Sequence, residues 1–344
     1  MSFQPNSKTS SSSAVISTVR SALIKTALIL FILFVCFVSL ELIARFRGHS
    51  PYREYFFTTK TESGQNFFEE DPVLGFVPAA GKQQVHFGRL TFQMTHDASH
   101  HRITGSSEPG QTPKKTVWIL GDSVTEGWGV NDNETYAWLL QRDLGEDYAV
   151  TNFAAAAYGT AHSYLQLEEA LSKQKAPDVI ILAYGSYHDE RNTLARKFRK
   201  VLREVGVSFR YPFVRKKGDH FQWRMEAPVY RPFPFMNRSA FVHWLERTYN
   251  QIELNWFHSS EISEILILRI ADLAERHDSE FLVAGMNVNA RPMLQKLEEK
   301  GLDVIDIAVP PRYRPLPEDT HPNAAEHRLY AEKLKTHPFF SETN

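Results

Sequence analysis

The stretch 116-TVWILGDSVTEGWGV-130 is a β-branched and apolar run that stops on Gly-Asp-Ser and restarts in glycine-rich, polar sequence. A buried strand ending this way presents a small hydroxyl residue, Ser123, at a turn tight enough to need glycine. Two readings fit. Ser is a preferred helix N-cap, so the segment can be an ordinary strand-to-helix turn. Alternatively, Ser123 is a nucleophile held at the edge of a sheet.

The surrounding sequence says what kind of sheet this is. Short apolar runs recur at 148-YAVTNFA-154, 178-DVIILAY-184, 280-EFLVAGM-286 and 303-DVIDIAV-309. Helical patterns occupy 133–144, 161–174, 261–277, 290–301 and 324–335. Strands alternating with helices predict a parallel sheet covered on both faces, a doubly wound three-layer α/β fold. Ligands bind such sheets at the carboxyl ends of the strands, where Ser123 falls. Opening a helical turn there, its backbone N–H and the neighbouring amides would face a developing oxyanion.

A partner for Ser123 lies near the C-terminus, in 316-LPEDTHPNAAEHRLYAEKLK-335. His321 stands between the last strand and the last helix, which the doubly wound order brings to the same sheet end. A neutral imidazole there can take the hydroxyl proton, and an adjacent carboxylate, Asp319 or Glu318, can hold its tautomer.

The chain has 344 residues and a net charge of −1, with 42% apolar and 23% charged residues, so nothing in its charge points to nucleic acid. The N-terminus departs from this composition. Residues 1–20 are polar and expected to be a disordered tail. The run 26-TALILFILFVCFVSLELIA-44 is broken only by Glu41, and about 20 apolar residues cross a bilayer as a helix, so residues 21–45 are read as an uncleaved transmembrane signal anchor. Lys8, Arg20 and Lys25 before the run nearly balance Arg45, Arg47 and Arg53 after it, so charge does not set the orientation. The sole cysteine, Cys36, lies inside the run, which leaves the rest of the chain free of thiols.

The blocks around Ser123 and His321, LGDSVTEGWGV with NDNETYAWLLQ and DTHPNAAEHRLYAEKL, resemble those of the SGNH/GDSL hydrolase superfamily, most closely its membrane-anchored bacterial members. The resemblance implies a flavodoxin-like α/β/α fold with a five-stranded parallel sheet and a serine esterase without cofactor or metal. It implies Ser123 as nucleophile, His321 as base and Asp319 as acid, with Glu318 as the alternative. It also implies an oxyanion hole built from Ser123, Ala157 and His188. Ala157 stands where the family usually has Gly, in 152-NFAAAAYGT-160, and His188 where Gly-x-Asn-Asp would place Asn, in 184-YGSYHDERN-192. A backbone N–H donates whatever its side chain, and an imidazole N–H can replace an amide. The other reading of His188, Arg191 and Asn192 is a structural hydrogen-bond cluster.

The chain is therefore expected to comprise the tail, the anchor, a membrane-proximal arm over 46–112 and an SGNH hydrolase-like domain over 113–340. An aromatic-rich insertion falls at about 195–257, where the Pro and aromatic content of 211–235 argues against long helices. Similarity to anchored relatives implies an ester-bearing substrate, such as an O-acetylated envelope glycan, and a periplasmic or extracellular catalytic domain on a single-pass anchor. A catalytically impaired scaffold subunit and an O-acyltransferase are the alternatives. His96, Asp97, His100 and His101 in 95-THDASHHR-102 are read as a solvated loop rather than a metal site.

Overall fold

The computed structural model describes residues 9–54, 59–61, 66–105, 112–218, 220–310 and 321–340. These fall into two compact units, residues 1–54 with 231–249, and 55–230 with 250–344.

The larger unit is built on a five-stranded parallel sheet whose strands are numbered here in chain order. They are β1 (Lys115–Leu120), β2 (Tyr148–Asn152), β3 (Val179–Tyr184), β4 (Glu280–Gly285) and β5 (Asp303–Asp306), in the spatial order β5-β4-β3-β1-β2. Side chains alternate across a strand, so β1 sends Val117 and Ile119 to one face and Trp118 and Leu120 to the other. The first face is covered by α1 (Tyr136–Leu144) and α5 (Ala324–Lys335) through Tyr136, Leu140, Tyr330 and Leu334. The second is covered by α2 (Thr160–Lys173), α3 (Ser259–Arg276) and α4 (Arg291–Glu298) through Leu167, Ile267, Ile270 and Leu294. Burial on both faces is why these strands read as apolar runs rather than alternating ones. This is the three-layer α/β/α fold expected from the sequence. The strand order reverses at β1, which puts the switch point where Ser123 lies.

Residues 66–105, expected as part of an arm, cluster with this larger unit. Two antiparallel pairs, Phe68–Asp71 with Gly75–Pro78 and Gly81–Phe87 with Leu90–His96, form there. Arg102 is the fastener. Its fully buried guanidinium bonds Asp132 Oδ1 at 2.8 Å and the carbonyls of Gln93, Glu126 and Val130. It thereby ties the second pair to the loop that follows Ser123. The His-rich corner beside it is structural rather than solvated. His96 is buried with Nε2 3.1 Å from Glu126 Oε1, His100 Nδ1 lies 2.8 Å from the Pro78 carbonyl, and the His101 ring packs 4.0 Å from that of Phe153. Among the described residues no group of three or more side chains could hold a metal.

Within the insertion, residues 211–226 form a hairpin, Tyr211–Lys217 with His220–Glu226, preceded by the helix Arg196–Glu204. A 17-residue helix, Ala240–Trp256, follows soon after the last proline of the stretch, Pro234, and is longer than the sequence suggested. The backbone beyond that proline is free to donate its hydrogen bonds again.

The smaller unit centres on a 38-residue helix, Thr9–Phe46. It starts inside the segment expected to be disordered, because adding residues to an existing helix costs far less than nucleating one. Within its Ser17–Phe46 portion an 18-residue window has mean hydropathy 2.8, and the helix is long and apolar enough to cross a membrane. Glu41, the one acid in the apolar run, has a specific use. Its carboxylate accepts from the backbone N–H of Ala240 (3.0 Å) and Phe241 (2.9 Å) and from Ser239 Oγ (2.7 Å). It thereby caps the first turn of helix Ala240–Trp256, whose N–H groups have no partner within their own helix. Phe37 packs edge-on against Phe241 one turn away, at 6.1 Å.

Candidate active site

Ser123 begins the short helix Ser123–Glu126 immediately after β1. The turn closes with Glu126 N–H donating to the Asp122 carbonyl and Trp128 N–H to the Ser123 carbonyl. A Cβ at Gly121 would come within 2.4 Å of Thr125 Oγ1, so the Gly-Asp-Ser turn admits no larger residue there. Ser123 Oγ lies 2.9 Å from His321 Nε2, within hydrogen-bond reach for proton transfer. Asp319 and Glu318, the expected acids, lie outside the described residues.

Beside the nucleophile is a buried charge pair, Asp122 with Arg191, in which Asp122 has a role that was not legible in the sequence. Asp122 accepts from the Val124 backbone N–H at 3.0 Å, capping the helix that carries Ser123. Its other oxygen accepts from Arg191 Nη1 at 2.6 Å, and His188 Nε2 lies 3.5 Å away. Burial would raise the Asp122 pKa, but the Arg191 charge and His188 outweigh it and hold the carboxyl well below the usual range. Arg191 Nη1 also donates to the Tyr158 carbonyl at 2.7 Å, and its guanidinium lies over the Tyr187 ring at 4.6 Å. Burial by itself would depress the Arg191 pKa, but Asp122 reverses the effect and leaves it raised.

His188 is fully buried between Asp122 and Thr160, whose Oγ1 lies 3.1 Å from His188 Nδ1. Burial lowers its pKa despite Asp122, which keeps the imidazole neutral. Asn192 accepts from Ala161 N–H and donates to Ser263 Oγ. His188, Arg191 and Asn192 thus each have a hydrogen-bond partner within the fold: Thr160 for His188, Asp122 and Tyr158 for Arg191, and Ala161 and Ser263 for Asn192. His188 is not among the residues lining the cavity at Ser123. Reaching an oxyanion would require it to leave both of its present neighbours.

Ala157 adopts φ +68°, the left-handed region that favours glycine. That conformation accounts for the family's Gly at this position. The strained turn is clamped from both sides, because Tyr211 Oη donates to the Ala157 carbonyl at 2.7 Å while Arg191 holds the next carbonyl.

Ser123 and His321 open onto a cavity of about 110 Å³. Its walls include Phe68, Phe87, Trp128, Ala156, Ala157, Phe198 and Leu202, contributed by the 66–105 segment, the loop after Ser123, the turn after β2 and helix Arg196–Glu204. Trp128 is gripped edge-on by Phe67, Phe87 and Phe92, and its ring lies 6.3 Å from that of His321. Neither the cavity nor Trp128's place in it was legible beforehand, since the residues come from four separate stretches of chain.

No protein-family model matches this chain, and no curated protein is similar enough to match. Solved structures are similar to it at low identity. One is a carbohydrate acetylesterase family member from Sinorhizobium meliloti (16% identity, covering 64% of this chain and 95% of that one, TM-score 0.39). Another is a member of the lipolytic protein G-D-S-L family from Veillonella parvula (12%, 64% and 97%, TM-score 0.38). A third is AlinE4, an SGNH-hydrolase family esterase (15%, 64% and 90%, TM-score 0.32). The strand order and the Ser123–His321 pair agree with the fold and the pairing that the resemblance of the motif blocks to SGNH/GDSL hydrolases implies.

Proposed function

We propose that this chain is a serine esterase that cleaves acyl esters through an acyl-enzyme. The hydrogen bond between Ser123 Oγ and His321 Nε2, at the carboxyl end of the sheet, carries the reading. His321 takes the hydroxyl proton as Ser123 Oγ bonds to the ester carbonyl carbon. The tetrahedral oxyanion is assigned to the backbone N–H groups of Ser123 and Ala157. Collapse expels the alcohol, which receives the proton from His321. Water then repeats the sequence in reverse and releases the acid. A sugar hydroxyl in place of water would make the same intermediate an acyl donor, which is the O-acyltransferase alternative. Asp319 is assigned as the acid that orients His321, with Glu318 as its substitute.

The apolar helix supports a membrane-anchored enzyme, with an acyl ester of an envelope glycan as the substrate class and a periplasmic or extracellular body. A fluorophosphonate probe tests the core of the proposal. Peptide mass spectrometry should find the adduct on Ser123 in the folded full-length protein and lose it in His321→Ala. An unlabelled Ser123 in folded protein would overturn the esterase reading in favour of a scaffold role.

A further inference from the structure

The cavity at Ser123 is built for hydrocarbon. Among the described residues lining it, the side chains that carry polar atoms are Ser123, His321, Arg191 and, through its indole N–H, Trp128. The first two perform the chemistry, and Arg191 Nη1 is committed to Asp122 and to the Tyr158 carbonyl. The rest of the wall is aromatic and aliphatic, including Phe68, Phe87, Phe198, Leu202 and Val205. A sugar ring placed there would set most of its hydroxyls against apolar wall, which is costly. A methyl group would leave most of the space empty. An apolar cavity of about 150 Å³ accommodates benzene, six carbons, so one of about 110 Å³ suits roughly four to six carbons of chain.

We infer that the cavity is an acyl subsite selecting a linear saturated acyl group of about four to six carbons, longer than acetyl, with the alcohol portion of the ester on the open side of Ser123. This inference rests on the esterase reading. It assigns chain-length selection to the helix Arg196–Glu204 and the loop after it, through Phe198, Leu202 and Val205. These residues belong to the insertion and not to the sheet.

Each methylene buried in such a site is worth about fourfold in kcat/KM. The full-length protein, assayed with p-nitrophenyl acetate, butyrate, hexanoate and decanoate, should show kcat/KM rising about sixteenfold from acetate to butyrate. It should peak at four to six carbons and fall at ten. In Leu202→Trp the butyrate-to-acetate ratio should drop at least tenfold, because the indole fills the chain's space. Leu202→Ala, which cannot overfill the site, should move the optimum to longer chains. A rate that falls steadily from acetate onward, or a ratio unmoved by both variants, overturns the subsite while leaving the esterase intact. Failure to turn over any ester, with no adduct on Ser123, removes the esterase reading and the inference together.

Discussion

Ser123 Oγ and His321 Nε2 meet at 2.9 Å although 198 residues separate them in the chain. Strand β1 delivers one and the approach to α5 delivers the other, so the pair depends on the whole sheet between them. Ser123→Ala or His321→Ala should lower ester turnover by about 10³-fold or more while leaving the melting temperature within a few degrees, since neither change opens a core. Steady-state kinetics beside thermal denaturation checks both halves.

The Asp122–Arg191 pair should show its value as stability. Arg191→Ala leaves a fully buried carboxylate uncompensated, a loss of about 3–5 kcal/mol. The double variant Asp122→Asn/Arg191→Leu should lose less than Arg191→Ala alone. Urea denaturation of the two variants gives the comparison, and a larger loss in the double variant would contradict the pairing.

Ala157→Gly offers an opposite expectation. Alanine at φ +68° is strained by about 1–2 kcal/mol, whereas glycine is not, although glycine costs about 0.5–1 kcal/mol in the unfolded chain. The net change should lie between neutral and about 1 kcal/mol stabilising. Ala157→Val should destabilise by more than 1 kcal/mol, as branching at Cβ worsens the same clash. Denaturation midpoints settle the sign.

Stability should also fall with pH below neutrality. Burial holds His162, His188 and His327 below the usual imidazole value, His327 at about 3. Between each lowered value and about 6.5 the unfolded chain binds the proton and the folded one does not, so acidification favours unfolding. Each such histidine contributes about 1.4 kcal/mol per pH unit inside its window. His327→Asn keeps an acceptor for the Tyr136 N–H, which now donates to Nδ1 at 3.2 Å, and should flatten the slope between pH 6 and 4 by close to one proton. Urea midpoints across that range provide the measurement.

Much of this was readable in advance, for specific reasons. Strands buried on both faces leave continuous apolar runs, and tight turns leave glycine, so β1 and Ser123 stand out in one dimension. His321 was found by topology, because only one connection precedes the last helix. Arg102, Trp128 and Asp122 were not legible as structural keystones, since their roles exist only where separate stretches meet. The surroundings of His188 were hidden for the same reason. Its chemistry suits an oxyanion donor, while the fold places its Nδ1 3.1 Å from Thr160 Oγ1 and its Nε2 3.5 Å from Asp122 Oδ2.

Glu41 carries a consequence for how the apolar helix can be exchanged. Successive residues of an α-helix point about 100° apart, so its carboxylate meets the N–H groups of Ala240 and Phe241 at one rotational setting only. A single residue inserted between Glu41 and the chain leaving the helix at Phe46 would swing the carboxylate away and strand the first turn of the neighbouring helix. Hydrophobicity and length are then insufficient specifications for this segment. It is keyed in phase, and a generic apolar helix of equal length would not be an equivalent part.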